Sequence, residues 1–277
     1  MLTRLRSFDM AEVPPQDFTP EEWQARLSTW IDAYHRFGQR EVNEFILTMA
    51  TVKPGEDVVD LCCGTGKQSI PFAVRVGGSG SVLGLDVTPG LLERAREHAG
   101  GLPQITFQQH DCNLPLPAEA ASKDLISCCF AIYYIWDLNR LVLEVHRVLR
   151  PGGRFFVIGP AGDNNYQLRQ LHVAVSGKPE PEKIIRRRLR IENEVLPFMG
   201  AHFSRVDLGH FRNELTFPDV ESFIGYYRST ILLRDTEQDS ARREELARRM
   251  GERVAEIIKA EGSFAISKSY LAALAVK

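Results

Sequence analysis

Two glycines and two acidic residues at a regular spacing could build a cofactor site. The apolar run EDVVDLCC leads directly into Gly64-Thr65-Gly66, with Asp60 inside the run, and Asp86 ends the next apolar run. Glycines placed after a strand let the backbone approach a ligand without a Cβ clash, and the following helix presents unpaired N–H groups. A carboxylate that ends the next strand can accept hydrogen bonds from both hydroxyls of a ribose. This spacing indicates a site for a nucleotide-type cofactor.

Two nucleotide-binding classes can be weighed against this loop. A P-loop NTPase needs G-x-x-x-x-G-K-[ST], but Leu61 stands at the first glycine position and Gln68 at the hydroxyl position. The dinucleotide fingerprint G-x-G-x-x-G fits through Gly64 and Gly66, but its third position is Ser69. The P-loop is therefore disfavoured, and an NAD(P)-dependent oxidoreductase remains an alternative.

These residues would be positioned by strands that alternate with helices. Most of the candidate strands are continuous apolar runs, which is typical of parallel strands covered on both faces. The alternation predicts a doubly wound α/β sheet, whose ligands lie at the carboxyl ends of the strands. The predicted strands cover 57–63, 81–87, 105–111, 124–130 and 154–160, with helices over 91–99 and 138–150 and further strands over 204–212 and 264–277.

Four spaced signatures resemble the class I S-adenosylmethionine (SAM)-dependent methyltransferases of the small-molecule, type 11-like kind. Asp60-Leu61-Cys62-Cys63-Gly64-Thr65-Gly66 is similar to their first motif, D-x-G-x-G-x-G, and Gly84-Leu85-Asp86 to their second. The segment HDCNLPLP (110–117) resembles the third motif, and DLISCCF with LRPGGRFFVI continues the likeness through residue 160. The resemblance implies a Rossmann-like, seven-stranded, mostly parallel sheet with an antiparallel last strand, and SAM as cofactor. It also implies methyl transfer to O, N or C of a small-molecule acceptor.

The resemblance also implies a role for each residue at the cofactor site. The glycines would admit the methionine tail, and the acidic residues would bind its amino end, the ribose diol and the adenine amine. Two further positions would flank the adenine ring, and an aromatic side chain would border the tail and the methyl group. The glycines are Gly64 and Gly66. The acidic residues for the amino end, the ribose diol and the adenine amine are Asp60, Asp86 and Asp111, respectively. Val87 and Cys112 would flank the adenine ring, and Phe130 is the aromatic side chain.

Cysteine replaces the first glycine of the family motif, at Cys62. We expect its thiol to pack as a small hydrophobe, while the two remaining glycines make the turn. The adjacent pairs Cys62-Cys63 and Cys128-Cys129 lie on predicted strands, where successive side chains point to opposite faces. Neither pair can converge on one ion, and no C-x-x-C spacing is present, so no metal site is expected.

Residues that could act on an acceptor are harder to identify. A general base helps when the acceptor is a hydroxyl, and side chains near the expected mouth of the site are weak candidates for it. Packing or a helix surface is an alternative role for each of them. The basic run RRRLR (186–190) could bind an anionic acceptor, or it could be a solvated helix face paired with nearby glutamates. The candidate bases are His35, Tyr133, Tyr134 and His172.

Two segments outside the core are expected to cover the acceptor. Residues 1–50 would form an N-terminal helical lid, and residues 161–203 a helical insertion over the active site. Residues 51–160 would form the SAM-binding core, and residues 204–277 would complete the sheet. Lid side chains expected at the pocket are Trp30, Tyr34, His35 and Phe37 from one side, and Tyr166, His172 and Phe198 from the other.

Composition limits the cellular setting. The 277-residue chain is 44% hydrophobic and carries a net charge of −2, which gives no reason to expect a nucleic-acid or membrane partner. The first residues, MLTRLRSFDMAEVPPQDF, do not predict a signal peptide, and five cysteines fit a reducing compartment. We expect a cytoplasmic monomer or homodimer, with a non-catalytic SAM-binding regulator as a further alternative to an enzyme.

Overall fold

The computed structural model describes residues 20–277. The start of the chain, for which no signal peptide is predicted, lies outside the described residues. Thr19, which is predicted to cap the first helix, lies outside them as well. Strands and helices alternate through the middle of the chain, as predicted. The strands are β1 (Asp57–Leu61), β2 (Ser81–Asp86), β3 (Ile105–Gln109), β4 (Lys123–Cys129), β5 (Leu149–Pro160), β6 (Arg205–Phe217) and β7 (Phe264–Val276). The helices are α1 (Pro20–Phe37), α2 (Val42–Ala50), α3 (Ser69–Val76), α4 (Pro89–Ala99), α5 (Leu138–Val148), α6 (Tyr166–Ser176), α7 (Glu182–Arg188), α8 (Leu196–His202), α9 (Val220–Arg228), α10 (Ile231–Thr236) and α11 (Ser240–Glu261).

The strands form a seven-stranded sheet in the order β3-β2-β1-β4-β5-β7-β6. Neighbours from β3 to β5 are parallel, whereas β7 runs antiparallel to both β5 and β6. The order reverses at β1, where the chain leaves for β2 on one side and β4 lies on the other. The predicted fold, including the antiparallel last strand, is confirmed, and the reversal marks the edge where a ligand is expected.

Each face of the sheet is covered by helices and has its own core. Side chains of β5 alternate between these cores: Phe155 and Val157 belong to the cluster under α5 and α8, while Phe156 and Ile158 belong to the cluster under α2 and α3. All four are fully buried. Strand alternation thus explains why the run FFVI contains no polar residue.

Strands β6 and β7 continue past the carboxyl end of β5. The β5–β7 ladder ends at Pro160↔Tyr270, but the β6–β7 ladder continues to Phe217↔Phe264. The extension carries a third core, which we call the lid core, built from the strand ends and helices α6, α9, α10 and α11. The sequence prediction gave residues 204–277 only a sheet-completing role, whereas this part of the chain also supplies α9, α10 and α11 to the lid core.

Helix α1 joins the lid core through its last turns. Ala33 is 3% exposed within this core, and the Phe37 ring lies 5.0 Å from the Phe217 ring. The chain after α1 is held on β6 by the Asn213 side chain, whose oxygen accepts from the amides of Gln39 and Arg40. Among the described residues, no helix is long and apolar enough to cross a membrane.

Candidate functional site

The loop after β1 is shaped by three left-handed residues. Cys62, Gly64 and Gly66 have φ of 54°, 56° and 77°. A Cβ on Gly66 would lie 3.1 Å from the Phe107 ring, so glycine is required there by both backbone and packing. The loop then enters α3, whose first residue is Ser69. The result is a turn that can expose backbone N–H groups to a ligand at the carboxyl edge of the sheet.

Asp86 ties this loop to the next helix. One carboxylate oxygen accepts from the Gly64 amide and the other from the Thr88 amide, both at 2.9 Å. Burial raises the pKa of Asp86, and these hydrogen bonds oppose the rise. A carboxylate offers about four acceptor positions, so it can hold these amides and also accept from ligand hydroxyls. Next to it, Val87 is 44% exposed, which leaves an apolar surface at this edge.

Asp60 lies beneath the loop rather than in the cleft. Its side chain is buried, with hydrogen bonds from the hydroxyls of Ser69 at 2.5 Å and Ser127 at 2.6 Å. Burial raises the pKa of Asp60 to about 6, against the lowering effect of the two serines. Both oxygens therefore position the loop and the start of α3, so any influence on a methionine amino group passes through the loop.

The segment after β3 forms a tight turn around Asp111. One oxygen of Asp111 accepts from both the backbone and the side-chain amide of Asn113. The Asn113 side-chain oxygen in turn accepts from the Trp136 amide, which joins this turn to the loop after β4. Cys112 is 5% exposed, and Nε2 of His110 is buried with no hydrogen-bond partner among the described residues. The expected adenine-binding residues thus lie at the same edge as Asp86.

Three thiols from different elements meet beside the loop. The Cys62 side chain interacts with those of Cys112 and Cys128, and the pairing of Leu61 with Cys128 in the β1–β4 ladder explains the approach. The hydrogen bond with Cys112 lowers the pKa of Cys62, but the contact with Cys128 and burial outweigh it and raise that pKa. The contact with Cys62 and burial raise the pKa of Cys112. The two side chains of each adjacent cysteine pair point to opposite faces of the sheet, as predicted. One member of each pair, Cys62 or Cys128, lies beside Cys112. No group of three or more potential ligands within residues 20–277 is arranged to hold a metal ion.

Aromatic side chains line the edge after β4. Phe130 has φ of 55°, and its ring meets that of Tyr270 edge-on at 4.9 Å. The rings of Tyr133 and Tyr134 are 4.7 Å apart, and the Arg187 guanidinium from α7 lies 5.9 and 5.7 Å from their centroids. Of the expected acceptor residues, the two tyrosines therefore lie after β4, at the carboxyl edge of the sheet.

The two candidate histidines are placed elsewhere. His172 is completely buried in the lid, where Nδ1 meets the Tyr227 hydroxyl at 2.6 Å and Nε2 meets the Thr236 hydroxyl at 2.9 Å. Burial lowers the pKa of His172 to about 4. Both nitrogens are occupied, so His172 supports the lid and is not available as a base. His35 is 59% exposed and pairs with Glu41 at 3.2 Å, outside the cleft.

Other expected lid contacts are also corrected. Phe198 packs against the core under α5 instead of the mouth, and Tyr166 is 52% exposed. The side chains of Trp30 and Tyr34 lie outside the described residues. Sequence reasoning missed Asn113 and Tyr270, although an asparagine two residues after Asp111 is a known turn signal.

The donor set fits a SAM molecule. A Cβ on Gly64 would point into open space, so the bare backbone there can approach the methionine tail. Asp86 keeps acceptor positions for a diol, and Val87 presents an apolar edge for a ring. These features match a ligand with a zwitterionic tail, a ribose and an adenine.

Comparison with known proteins agrees with this geometry. Residues 58–153 match the family model described as "Methyltransferase domain". A 2-phytyl-1,4-naphtoquinone methyltransferase of Nostoc sp. is 31% identical over 147 residues, covering 52% of this chain and 62% of that protein. A demethylmenaquinone methyltransferase of Desulfitobacterium hafniense is 36% identical over 104 residues, covering 36% of this chain and 41% of that protein. The chain thus matches less than two thirds of the length of these relatives.

Solved structures share the fold. A putative methyltransferase of Bacillus halodurans superimposes with a TM-score of 0.55 at 17% identity, covering 84% of this chain and 97% of that one. A SAM-dependent methyltransferase of Aquifex aeolicus gives 0.52 at 20% identity, covering 70% and 91%. The family match thus assigns residues 58–153 to the methyltransferase-domain family, and the strand order and these structures show that the chain shares the fold.

Proposed function

We propose that the protein transfers a methyl group from SAM to a small-molecule acceptor. The observation that carries this proposal is the Asp86 carboxylate, which holds the Gly64 amide and keeps acceptor positions at the same edge. Asp86 would hold the ribose diol, Asp111 the adenine amine and the glycine loop the methionine tail. Bound SAM supplies a methyl group already activated on a positive sulfonium. The protein therefore has to position the acceptor and exclude water.

Residues beside the cofactor and the helices of the lid core would together supply that positioning. Val87 and Cys112 would flank the adenine, and Phe130 would border the tail, as the family resemblance implies. The lid core stands on the extended ends of β6 and β7 beyond the carboxyl edge, where it can cover the mouth. Burial raises the pKa of Tyr133 to about 12, so its hydroxyl stays protonated and serves as a donor instead of a base.

The acceptor is best sought among small aromatic compounds. The relatives named for naphthoquinone and demethylmenaquinone methylation support quinone-like acceptors as first candidates. Their similarity covers 52% and 36% of this chain, so acceptor binding has to be tested directly. A net charge of −2 supports a protein that acts without nucleic acid. We also propose that it is a cytoplasmic monomer or homodimer.

Cofactor binding and turnover together test the proposal. S-adenosylhomocysteine should bind in calorimetry, and NADP⁺ should not. Incubation of the protein with methyl-labelled SAM and a panel of reduced naphthoquinones and other aromatic metabolites should transfer label to an acceptor. Binding of NADP⁺ alone would favour the oxidoreductase, whereas S-adenosylhomocysteine binding without transfer to any acceptor would favour a SAM-binding regulator.

A further inference from the structure

A lysine follows directly after the glycines of the cofactor loop. Lys67 stands between Gly66, whose carbonyl accepts from the Ile70 amide at 2.9 Å, and the start of α3. The first residue of α3, Ser69, is fixed by the hydrogen bond from its hydroxyl to Asp60. The backbone on both sides of Lys67 is therefore held in place, so its side chain leaves the loop from a defined position at the carboxyl edge of the sheet.

The Lys67 ammonium is half-buried, and among residues 20–277 it forms neither a hydrogen bond nor an ion pair. Burial lowers its pKa, and the charge of Glu41, just before α2, opposes this effect. Glu41 itself is 55% exposed and pairs with His35 at 3.2 Å. Removing a cation from water without giving it an anion is unfavourable. The position of Lys67 therefore suits a ligand that brings its own negative charge.

Open space and backbone donors for such a ligand lie on the same loop. A Cβ on Gly64 would meet no atom within 4 Å outside its chain neighbours. The amides of Thr65 and Lys67 have no hydrogen-bond acceptor within the described part of the chain. Gly64 and Gly66 both have positive φ, and left-handed residues in a short loop let neighbouring amides point at one anion. The loop thus offers amides and an ammonium at one place.

We propose that Lys67 binds the carboxylate of the methionine tail of SAM, together with the amides of the glycine loop. This inference rests on the proposed function, because it takes SAM as the ligand of the loop. Hydrogen bonds between an ammonium and a carboxylate are charge-assisted and stronger than those from neutral amides. The amino group and the sulfonium of SAM are positive and are repelled by Lys67, so the lysine also fixes which end of the tail enters the loop.

Two ligands that differ only at the carboxylate test the inference. S-adenosylhomocysteine and its carboxamide have nearly the same shape, but only the former carries the negative charge, and each is titrated into the full chain by calorimetry. We expect the wild-type protein to bind S-adenosylhomocysteine about thirtyfold more tightly than the carboxamide. Lys67→Met should reduce this ratio to about threefold, the part that the loop amides supply, and Lys67→Arg should keep most of it.

Lys53→Met is the matched control, since Lys53 is exposed and lies before β1, at the opposite edge of the sheet. It should keep the full ratio. 5′-Methylthioadenosine, which lacks the amino-acid tail, reports whether the rest of the site is intact, and Lys67→Met should bind it within about twofold of the wild-type protein. If Lys67→Met fails to fold, Lys67→Gln is measured in its place.

The inference would be overturned by equal affinity of the wild-type protein for the two ligands, or by an unchanged ratio in the Lys67 variant. An equal change in Lys53→Met, or a matching loss of 5′-methylthioadenosine binding in Lys67→Met, would also overturn it, because Lys67 would then act only on the fold of the loop. Absence of S-adenosylhomocysteine binding in the wild-type protein would overturn both this inference and the proposed function. A Lys67-dependent preference for the carboxylate without methyl transfer to any acceptor would support the inference and overturn the proposed function.

Discussion

At the scale of single residues, the Asp86 carboxylate holds the loop and is expected to hold the ligand as well. Replacing Asp86 with Ala removes the acceptor of the Gly64 and Thr88 amides together with the expected ribose contacts. We predict that S-adenosylhomocysteine binding weakens by roughly 2–4 kcal/mol, the cost of losing charge-assisted hydrogen bonds. Calorimetry measures it, with Asp86→Asn as an intermediate variant that retains one oxygen. An unchanged affinity in the Ala variant would remove Asp86 from the site.

Cys62 combines a glycine-like backbone with a half-buried thiol. Its φ of 54° is costly for a residue with a Cβ, while its side chain packs against Cys112 and Cys128. Cys62→Ala should lose the thiol contacts and keep the strain, whereas Cys62→Gly should lose both. We predict that the Gly variant is more stable than the Ala variant by about 1 kcal/mol in urea unfolding. Equal stability, or a more stable Ala variant, would show that the loop tolerates a Cβ at no cost.

The residues that could be predicted from sequence are those fixed by position along a strand. Asp86 and Asp111 follow strands whose carboxyl ends share one edge, so a pattern of runs and glycines was enough to locate them. His172 was misplaced because its two partners, Tyr227 and Thr236, are distant in sequence and nothing local indicates them. The meeting of Cys62, Cys112 and Cys128 was missed for the same reason, since it depends on strand order.

At the scale of elements, His172 joins α6 to α9 and α10 and makes the lid sensitive to acid. Its pKa is about 4 in the folded protein, below the ordinary value of 6.5, so between these values the unfolded chain binds more protons. Stability from this group is therefore complete above pH 6.5 and is lost as pH falls towards 4. Relative to His172→Gln, we predict that the wild-type protein loses about 2 kcal/mol more unfolding free energy between pH 7 and 5.

Urea unfolding at several pH values, with hydrogen exchange of α6 and α9 amides, measures this difference. Other titrating groups, including Asp60 with its raised pKa, are common to both proteins and cancel in the comparison. Parallel pH profiles for the two proteins would show that the buried histidine does not control the lid.

The ends of two elements differ from those predicted from the sequence. The predicted strand at 204–212 continues to Phe217, because its last residues pair with the start of β7 and bury Leu215 and Phe217 in the lid core. The predicted helix at 138–150 ends at Val148, and Leu149 begins β5. In both cases a partner strand, which no local pattern reveals, determines the limit.

At the scale of the whole molecule, the expected SAM-binding residues and the lid helices pack on separate cores. The residues expected to hold SAM lie above the two cores of the sheet, whereas Ala33, Phe37 and the lid helices share the third. Residues 58–153, which match the methyltransferase family model, contribute to the first two cores and not to the third. Changes in the lid core should therefore leave the free energy of cofactor binding largely unchanged.

Deletion of residues 1–37 tests that separation. It removes Ala33 and the Phe37–Phe217 contact from the lid core, but leaves the Asn213 clamp on Gln39 and Arg40 intact. We predict a folded protein that binds S-adenosylhomocysteine within about threefold of the full chain and has lost methyl transfer, because the acceptor is no longer positioned and shielded from water. Phe37→Ala is a graded control that should retain partial transfer. Calorimetry and labelled SAM measure the two properties separately: full transfer in the truncated protein would show that α1 is dispensable, and loss of cofactor binding would show that the cores are coupled.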